Sequence, residues 1–302
     1  MSTRIRGWFT VMVLGLSLAY PVAAQEAPVP NIEAVKIRDG LHMLVGEGAG
    51  NLAVLSGSDG VVVIDDQFQE RSEKLLAAIR TISDKPLRFV INTHWHLDHA
   101  GGNGNFARAG AVLVAQDNAR KRLEKGQFMA VMQRMIEPAE PAALPVITFS
   151  ESMHFYINGQ DVHVLHIANA HTDGDSIIHF PGLNVFHTGD TYLTGMYPFI
   201  DAGSGGSIDG FIATIDAVLP LMDDESVIIP GHGGLSNKAE YTAFREMLVA
   251  IRASVRREMA KGLTREQLIA AKPTAAFDAR YGKGFITPDV LAGMLFDQFS
   301  AP

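Results

Sequence analysis

The chain contains no cysteine in 302 residues. Disulfides, thiolate zinc sites and iron–sulfur clusters are therefore excluded. It has no basic excess either: 25 Lys and Arg face 33 Asp and Glu, a formal charge of −8. Nucleic acid and anionic lipid are poor partners for such a surface. Long apolar runs are scarce. Trp8 to Val22 is mostly apolar and uncharged, but shorter than the about 20 apolar residues a helical membrane span needs. Arg4 and Arg6 precede it, and the small residues Val22-Ala23-Ala24 follow. That pattern reads as a secretory signal peptide over residues 1–24, with a polar linker over 25–39. The expectation is an exported protein, periplasmic or secreted, with no stable membrane span. Without disulfides, residues 40–302 must rely on a hydrophobic core.

What is present is a loose alternation of strands and helices. Leu41 to Gly46 and Asn51 to Leu55 read as a hairpin around Gly46–Gly50. Gly60 to Asp65 is a β-branched buried strand. Gln69 to Ser83 places Leu75, Leu76, Ile79 and Ile82 at helical spacing. Leu87 to Ile91 is the next strand, and Ala111 to Val114 another. Later come strand-like runs at 162–167, 176–180, 184–187 and 225–229, and helices at 208–219 and 238–261. Strands then helices, twice over, suggest two packed sheets with helices outside. Met129, Met132 and Met135 punctuate a segment read as a helix ended by Pro138, Pro141 and Pro145. Its methionines are read as core-facing, with an adaptable apolar wall beside a site as the alternative. Ala202 to Gly206 reads as a mobile loop.

Chemistry concentrates in one segment, Asn92-Thr93-His94-Trp95-His96-Leu97-Asp98-His99. If the chain stays extended after Ile91, His94, His96 and Asp98 share one side. His99 breaks that parity and requires a turn, which would let Asp98 and His99 serve a second metal beside the one at His94 and His96. Three further loops repeat the theme: Asn169 to Asp175 around His171, His187 to Thr191 around Asp190, and Pro230 to Gly233 around His232. Glycine beside His or Asp allows a sharp turn that aims the side chain.

Taken together, these four motifs make the chain resemble the metallo-β-lactamase superfamily over most of residues 40–235. The resemblance implies an αββα sandwich of two mixed β-sheets with helices on the outer faces. It implies that His94, His96 and His171 bind one metal, that Asp98, His99 and His232 bind another, and that Asp190 bridges the two. An imidazole and carboxylate donor set suits zinc, iron or manganese, and two Zn(2+) per chain are expected. A hydroxide held between two zinc ions is a nucleophile at neutral pH, with Asp98 orienting it as the catalytic residue.

Other polar residues receive more modest roles. His42, His154 and His163 are read as surface or strand-face residues, and His166 and His179 as structural. His187 is read as packing rather than as support for a ligand. Asp173 and Asp175 are turn formers, with Asp175 a weaker candidate for supporting a ligand. Asp65 is a candidate hydrogen-bond partner for a ligand imidazole.

The substrate is less defined. The best-known lactamase branch has Cys and, three residues on, Lys where this chain has Asp190 and Leu193. The Asp98-His99 pair resembles another lactamase branch, and Asp190 the glyoxalase II pattern. The expectation is an exported binuclear zinc hydrolase acting on a small molecule, with β-lactam amide hydrolysis ranked first. A glyoxalase II-like thioesterase, a lactone or other ester hydrolase, and a non-catalytic metal-binding protein are the alternatives. Tyr192, Met196, Tyr197 and Phe199 are candidate pocket residues. No protein partner is expected.

Overall fold

A computed structural model describes residues 32–46, 48–129 and 131–300. The expected signal peptide lies outside these residues. The first strand, β1 (Ile32–Arg38), pairs antiparallel with β2 (Leu41–Gly46). Residues 32–38 of the expected linker are instead a strand, because Ile32–Arg38 finds backbone partners on β2.

β3 (Leu52–Gly57) and β4 (Gly60–Ile64) continue the antiparallel order. After helix α1 (Ser72–Ile82), strand β5 (Leu87–Ile91) joins β4 in parallel. The short helices α2 (Leu97–Ala100) and α3 (Asn103–Arg108) lead to β6 (Val112–Gln116), parallel to β5. Helix α4 (Asp117–Lys125) follows. Next comes a separate hairpin of β7 (Gln127–Met129) and β8 (Arg134–Ile136). The helix expected across Met129–Met135 is thus a β-hairpin. Gly126 ends α4 with φ +67, and β7 and β8 then satisfy each other's backbone groups. β9 (Ile147–Phe149) closes the first sheet beside β6.

The second sheet runs β10 (Ser152–Ile157), β11 (Gln160–Leu165), β12 (Ile177–Phe180), β13 (Val185–His187), β14 (Val227–Ile229) and β15 (Ser236–Asn237). All neighbours are antiparallel except β13 and β14, which are parallel. Helix α5 (Ile208–Val218) connects β13 to β14. Helices α6 (Lys238–Met259), α7 (Arg265–Ala270), α8 (Asp278–Tyr281) and α9 (Pro288–Ser300) complete the chain.

Side-chain alternation assigns three apolar layers. Val62, Ile64 and Ile91 meet Val162, Val164, Ile178 and Phe180 between the sheets. Val61, Val63 and Val90 pack on the opposite face with Leu75, Ile79 and Phe106 of α1 and α3. Ile177, Phe186 and Ile228 pack with Phe211, Phe244 and Leu248 of α5 and α6. The result is the expected αββα sandwich. Among the described residues no helix is long and apolar enough to cross a membrane.

Candidate metal centre

The site sits where the parallel strands end. β4 and β5 run together, as do β13 and β14, so the loops after them emerge at one rim. Gly50 N donates to Asp98 O (3.2 Å) between loops of the first sheet, and Asn51 N donates to Gly231 O (2.7 Å) across to the second. The chain does not remain extended through His94 and His96, as parity had suggested. It leaves the strand at Ile91, and α2 begins at Leu97 with His96 as its N-cap. The turn needed to redirect His99 is this single helical turn.

All seven predicted ligands converge. His94, His96 and His171 form one cluster, Asp98, His99 and His232 a second, and Asp190 joins His94 and His99 in a third, each with ligand atoms within 4.8 Å of one another. His171 Nε2 lies 2.8 Å from His96 Nδ1, and His99 Nε2 lies 3.3 Å from His232 Nε2. Asp190 reaches both halves: Oδ1 is 3.1 Å from His99 Nε2, and Oδ2 is 3.7 Å from His171 Nε2 and 3.5 Å from His232 Nε2.

Partners outside the cluster fix the tautomers of four rings. The hydrogen-bond network assigns each proton. His171 Nδ1–H donates to Phe199 O (2.7 Å), which leaves Nε2 a lone pair. His96 Nε2–H donates to Asp201 Oδ2 (3.0 Å), which leaves Nδ1. His99 Nδ1–H donates to Asp65 Oδ2 (2.7 Å), which leaves Nε2. Thr93 Oγ1 donates to Asp65 Oδ2 (2.7 Å) and so accepts from His94 Nδ1–H (3.0 Å), which leaves His94 Nε2. That Nε2 is buried with no hydrogen-bond partner. Lone pairs aimed at each other over 2.8 Å repel unless a cation or proton lies between them. The donor set therefore fits divalent metal ions, which bind neutral imidazole and carboxylate.

Electrostatics agree. Burial lowers the pKa of His94, with the neighbouring His99 and His171 adding to it. Burial, then His96, holds His171 down at about 4. Both rings are thus neutral, as ligands must be. In the other half, burial opposes charge on His232, but the Asp190 and Asp98 carboxylates raise it to about 10. Burial likewise opposes ionisation of Asp98, yet His99 and His232 hold it down at about 2. Positive charge is thus favoured beside the two carboxylates, and a bound cation would supply it while His99 Nε2 keeps its lone pair.

Several supporting residues were anticipated. Asp65 does hold the ring of a predicted ligand, His99. Asp175 accepts from His171 N (2.7 Å) and Thr172 N (3.0 Å), fixing the His171 loop. His187 is buried, with Nε2–H donating to Asn51 O (3.1 Å) and Nδ1 accepting from Gly189 N (3.2 Å). His154 and His163 are surface residues paired with Asp161. Asp201, Thr93 and the Phe199 carbonyl were not anticipated. Asp201 stands 105 positions from His96, and its Asp-Ala-Gly-Ser context signals only a turn. The segment around it is not the mobile loop expected. Ser204 is buried and donates to Asp201, and a Cβ on Gly206 would collide with His171 O.

A cavity of about 410 Å³ opens over Asp98, Asp190, His96 and His232. Met196, Tyr197 and Phe199 line it as anticipated, whereas Tyr192 lies in the core. Met129 and Met132 of the β7–β8 hairpin and Phe285 of the loop before α9 also form its walls. The methionines are thus an apolar wall beside the site, with Met132 half exposed and Met129 buried.

The sandwich and its rim of converging imidazoles and carboxylates define a metallo-hydrolase fold. The family model of the metallo-beta-lactamase superfamily matches residues 45–232, and the chain belongs to that superfamily. It is 27% identical over 177 residues to a hydroxyacylglutathione hydrolase of Polaromonas sp. (strain JS666 / ATCC BAA-500), covering 58% of this chain and 59% of that protein. The chain spans about half to three-fifths of the length of the curated relatives it matches. Among solved structures, a metallo-beta-lactamase from Pontibacter korlensis superposes with a TM-score of 0.61 at 19% identity, covering 72% of this chain and 99% of that one. The stereoselective inverting sec-alkylsulfatase Pisa1 from Pseudomonas sp. gives 0.67 at 17% identity, covering 90% and 50%. At these identities the structural likeness concerns the fold.

Proposed function

We propose that this chain is an exported binuclear zinc hydrolase that cleaves the amide or ester bond of a small, largely apolar substrate, with β-lactams the first class to test. The observation that carries the reading is the set of four tautomer-fixed imidazoles whose lone pairs converge, with Asp98 and Asp190, on a cavity floor. His94, His96 and His171 would hold one ion and Asp98, His99 and His232 the other, with Asp190 shared. Metal ions there would supply Lewis-acid polarisation and acidify water at neutral pH. The protein's own contribution is orientation. Asp65, Asp201, Thr93 and the Phe199 carbonyl lock the rings, so little reorganisation is needed during the reaction. Asp98 lies at the cavity floor with Oδ2 3.2 Å from His232 Nε2. There its carboxylate can align a water molecule and accept its proton. The apolar walls exclude bulk water and hold an apolar substrate body.

A second reading, hydrolysis of an ester of an apolar alcohol, sulfate esters included, draws on the sec-alkylsulfatase fold match. That match covers 90% of this chain, against 72% for the lactamase. The cavity residues Phe285 and Ile286 lie beyond the matched family segment.

The test is metal analysis followed by a panel of lactams, lactones, thioesters, phosphoesters and sulfate esters on zinc-loaded protein. Two zinc ions per chain and β-lactam turnover are expected. One zinc or an iron would contradict the binuclear zinc reading. Failure on penicillin, cephalosporin and carbapenem alike would remove the lactam assignment. Asp98→Ala should lower turnover by about 10²–10⁴-fold, whereas a non-catalytic metal binder would show no turnover to lose. Export is tested separately by the N-terminal sequence of protein recovered from the periplasm or medium, expected near Gln25.

A further inference from the structure

The β7–β8 hairpin presents two unlike faces. Met129 pairs with Arg134, and Gln127 with Ile136. Met129, Arg134 and Ile136 all line the cavity. Phe128 and Met135 pair on the opposite face, each about half exposed. Gln127 shares that face but does not line the cavity, so Arg134 is the polar side chain that the hairpin brings to the cavity wall. Among the described lining residues it is also the only lysine or arginine. Its guanidinium has no ion-pair or hydrogen-bond partner among the described residues, whereas Arg122, at the end of the preceding helix, is paired with Asp173.

A cation left unpaired at the wall of an apolar cavity, in a chain of formal charge −8, is an anion-binding element waiting for its partner. Guanidinium forms forked, charge-assisted hydrogen bonds with carboxylate, sulfate and phosphonate groups. Beside it, Met129, Met132 and Phe199 offer surface for an aliphatic or aromatic body. Met132 and Phe285 remain 50% and 66% exposed at the same wall, so an apolar ligand there would remove them from water. Methionine adapts to irregular apolar shapes, which suits variable chains better than one rigid ring system.

From this juxtaposition we infer that Arg134 is the anchor for the anionic group of an amphiphilic substrate, whose apolar body lies along the hairpin wall. This rests on the hydrolase reading for the reaction, but the binding step can be measured without turnover. Leu193 adds only apolar surface to the cavity, and Arg134 is the one lysine or arginine among its described lining residues, away from the imidazole and carboxylate cluster. It is a specificity residue that selects anionic over neutral substrates.

The experiment uses binding and turnover in parallel on zinc-loaded protein. Binding of decanoate and of the neutral 1-decanol is measured by calorimetry in wild type, Arg134→Ala and Arg134→Lys. Arg134 is exposed in the free protein, so Arg134→Ala should weaken decanoate by about 10-fold, the low end for a charge-assisted hydrogen bond. Decanol should change by less than about twofold, and Arg134→Lys should fall between. Turnover is compared for 4-nitrophenyl esters of a monoacid and of the dicarboxylic acid of equal chain length. The carboxylated ester should lose its advantage in Arg134→Ala. Equal effects on charged and neutral ligands, or none on either, would overturn the assignment. If no ester is hydrolysed but decanoate binding depends on Arg134, the hydrolase reading fails and the anion site stands.

Discussion

Asp201 Oδ2 accepts from His96 Nε2–H at 3.0 Å, and by holding that nitrogen it turns the other, Nδ1, toward His171 Nε2. His96 would therefore ligate through a different nitrogen from His94 and His171. A carboxylate behind a ligand imidazole fixes the ring and raises its basicity. Asp201→Ala should lower metal affinity by about 10- to 100-fold, read by competition with a chelator. Asp201→Asn keeps a side-chain oxygen to cap the turn at Ser204 and should lose less. Unchanged affinity in both would show that Asp201 serves only the turn.

Asp65 supports the other half. Its carboxylate accepts from Thr93 N, Thr93 Oγ1 and His99 Nδ1, all within 2.7 Å and all buried. It also sits at φ +63, where alanine is strained. Asp65→Ala should cost about 3–5 kcal/mol, as for other broken buried pairs. Urea midpoints at constant slope measure this, and a loss below about 1 kcal/mol would contradict it.

Gly231 follows β14 directly under Asp190. A Cβ there would collide with Asp190 Oδ1 and come within 2.7 Å of Gly189 O. Gly231→Ala should therefore cost about 1–3 kcal/mol through overpacking and displace Asp190, so that metal stoichiometry falls. Gly234 has no atom within 4 Å of a built Cβ. Gly234→Ala is the control, expected within about 0.5 kcal/mol of wild type.

His179 gives a pH signature away from the metal centre. It stacks on Phe186 at 4.0 Å, and burial, then His163, lowers its pKa from 6.5 to about 4. The folded state thus binds a proton less readily than the unfolded chain. Stability is fully present above pH 6.5 and declines as pH falls through about 4. His179→Phe should remove about 1–2 kcal/mol of that acid-side loss for a half-desolvated ring. Identical pH profiles for variant and wild type would refute this.

Much of this was readable along the chain because it is local. A β-branched run such as Gly60 to Ile64 declares a buried strand, and Leu75 and Ile79 declare the inner face of a helix. The His94–His99 segment and the Gly-flanked His171, Asp190 and His232 likewise carry their chemistry within a few positions. The hairpin at 127–136 was misread because three spaced methionines fit helix and strand alike. Only the pairing of Phe128 with Met135 and of Met129 with Arg134 decides between them.

The sequence by itself determined the ligand types, the absence of thiolate and the two-sheet pattern, since residue identity and short-range periodicity suffice for these. Only the tertiary structure decided which nitrogen of each histidine faces inward. Those choices are made by Asp201, Asp65, Thr93 and the Phe199 carbonyl, three of which lie 28 to 105 positions from their rings. Thr93 alone is adjacent to its ring, and even there its role depends on Asp65, 28 positions away. A tautomer is set by whatever group folding brings to the far side of the ring, and no local pattern encodes that approach. The same holds for Arg134, an ordinary surface arginine in sequence, which is the one lysine or arginine among the described lining residues of the cavity once its hairpin folds against the site.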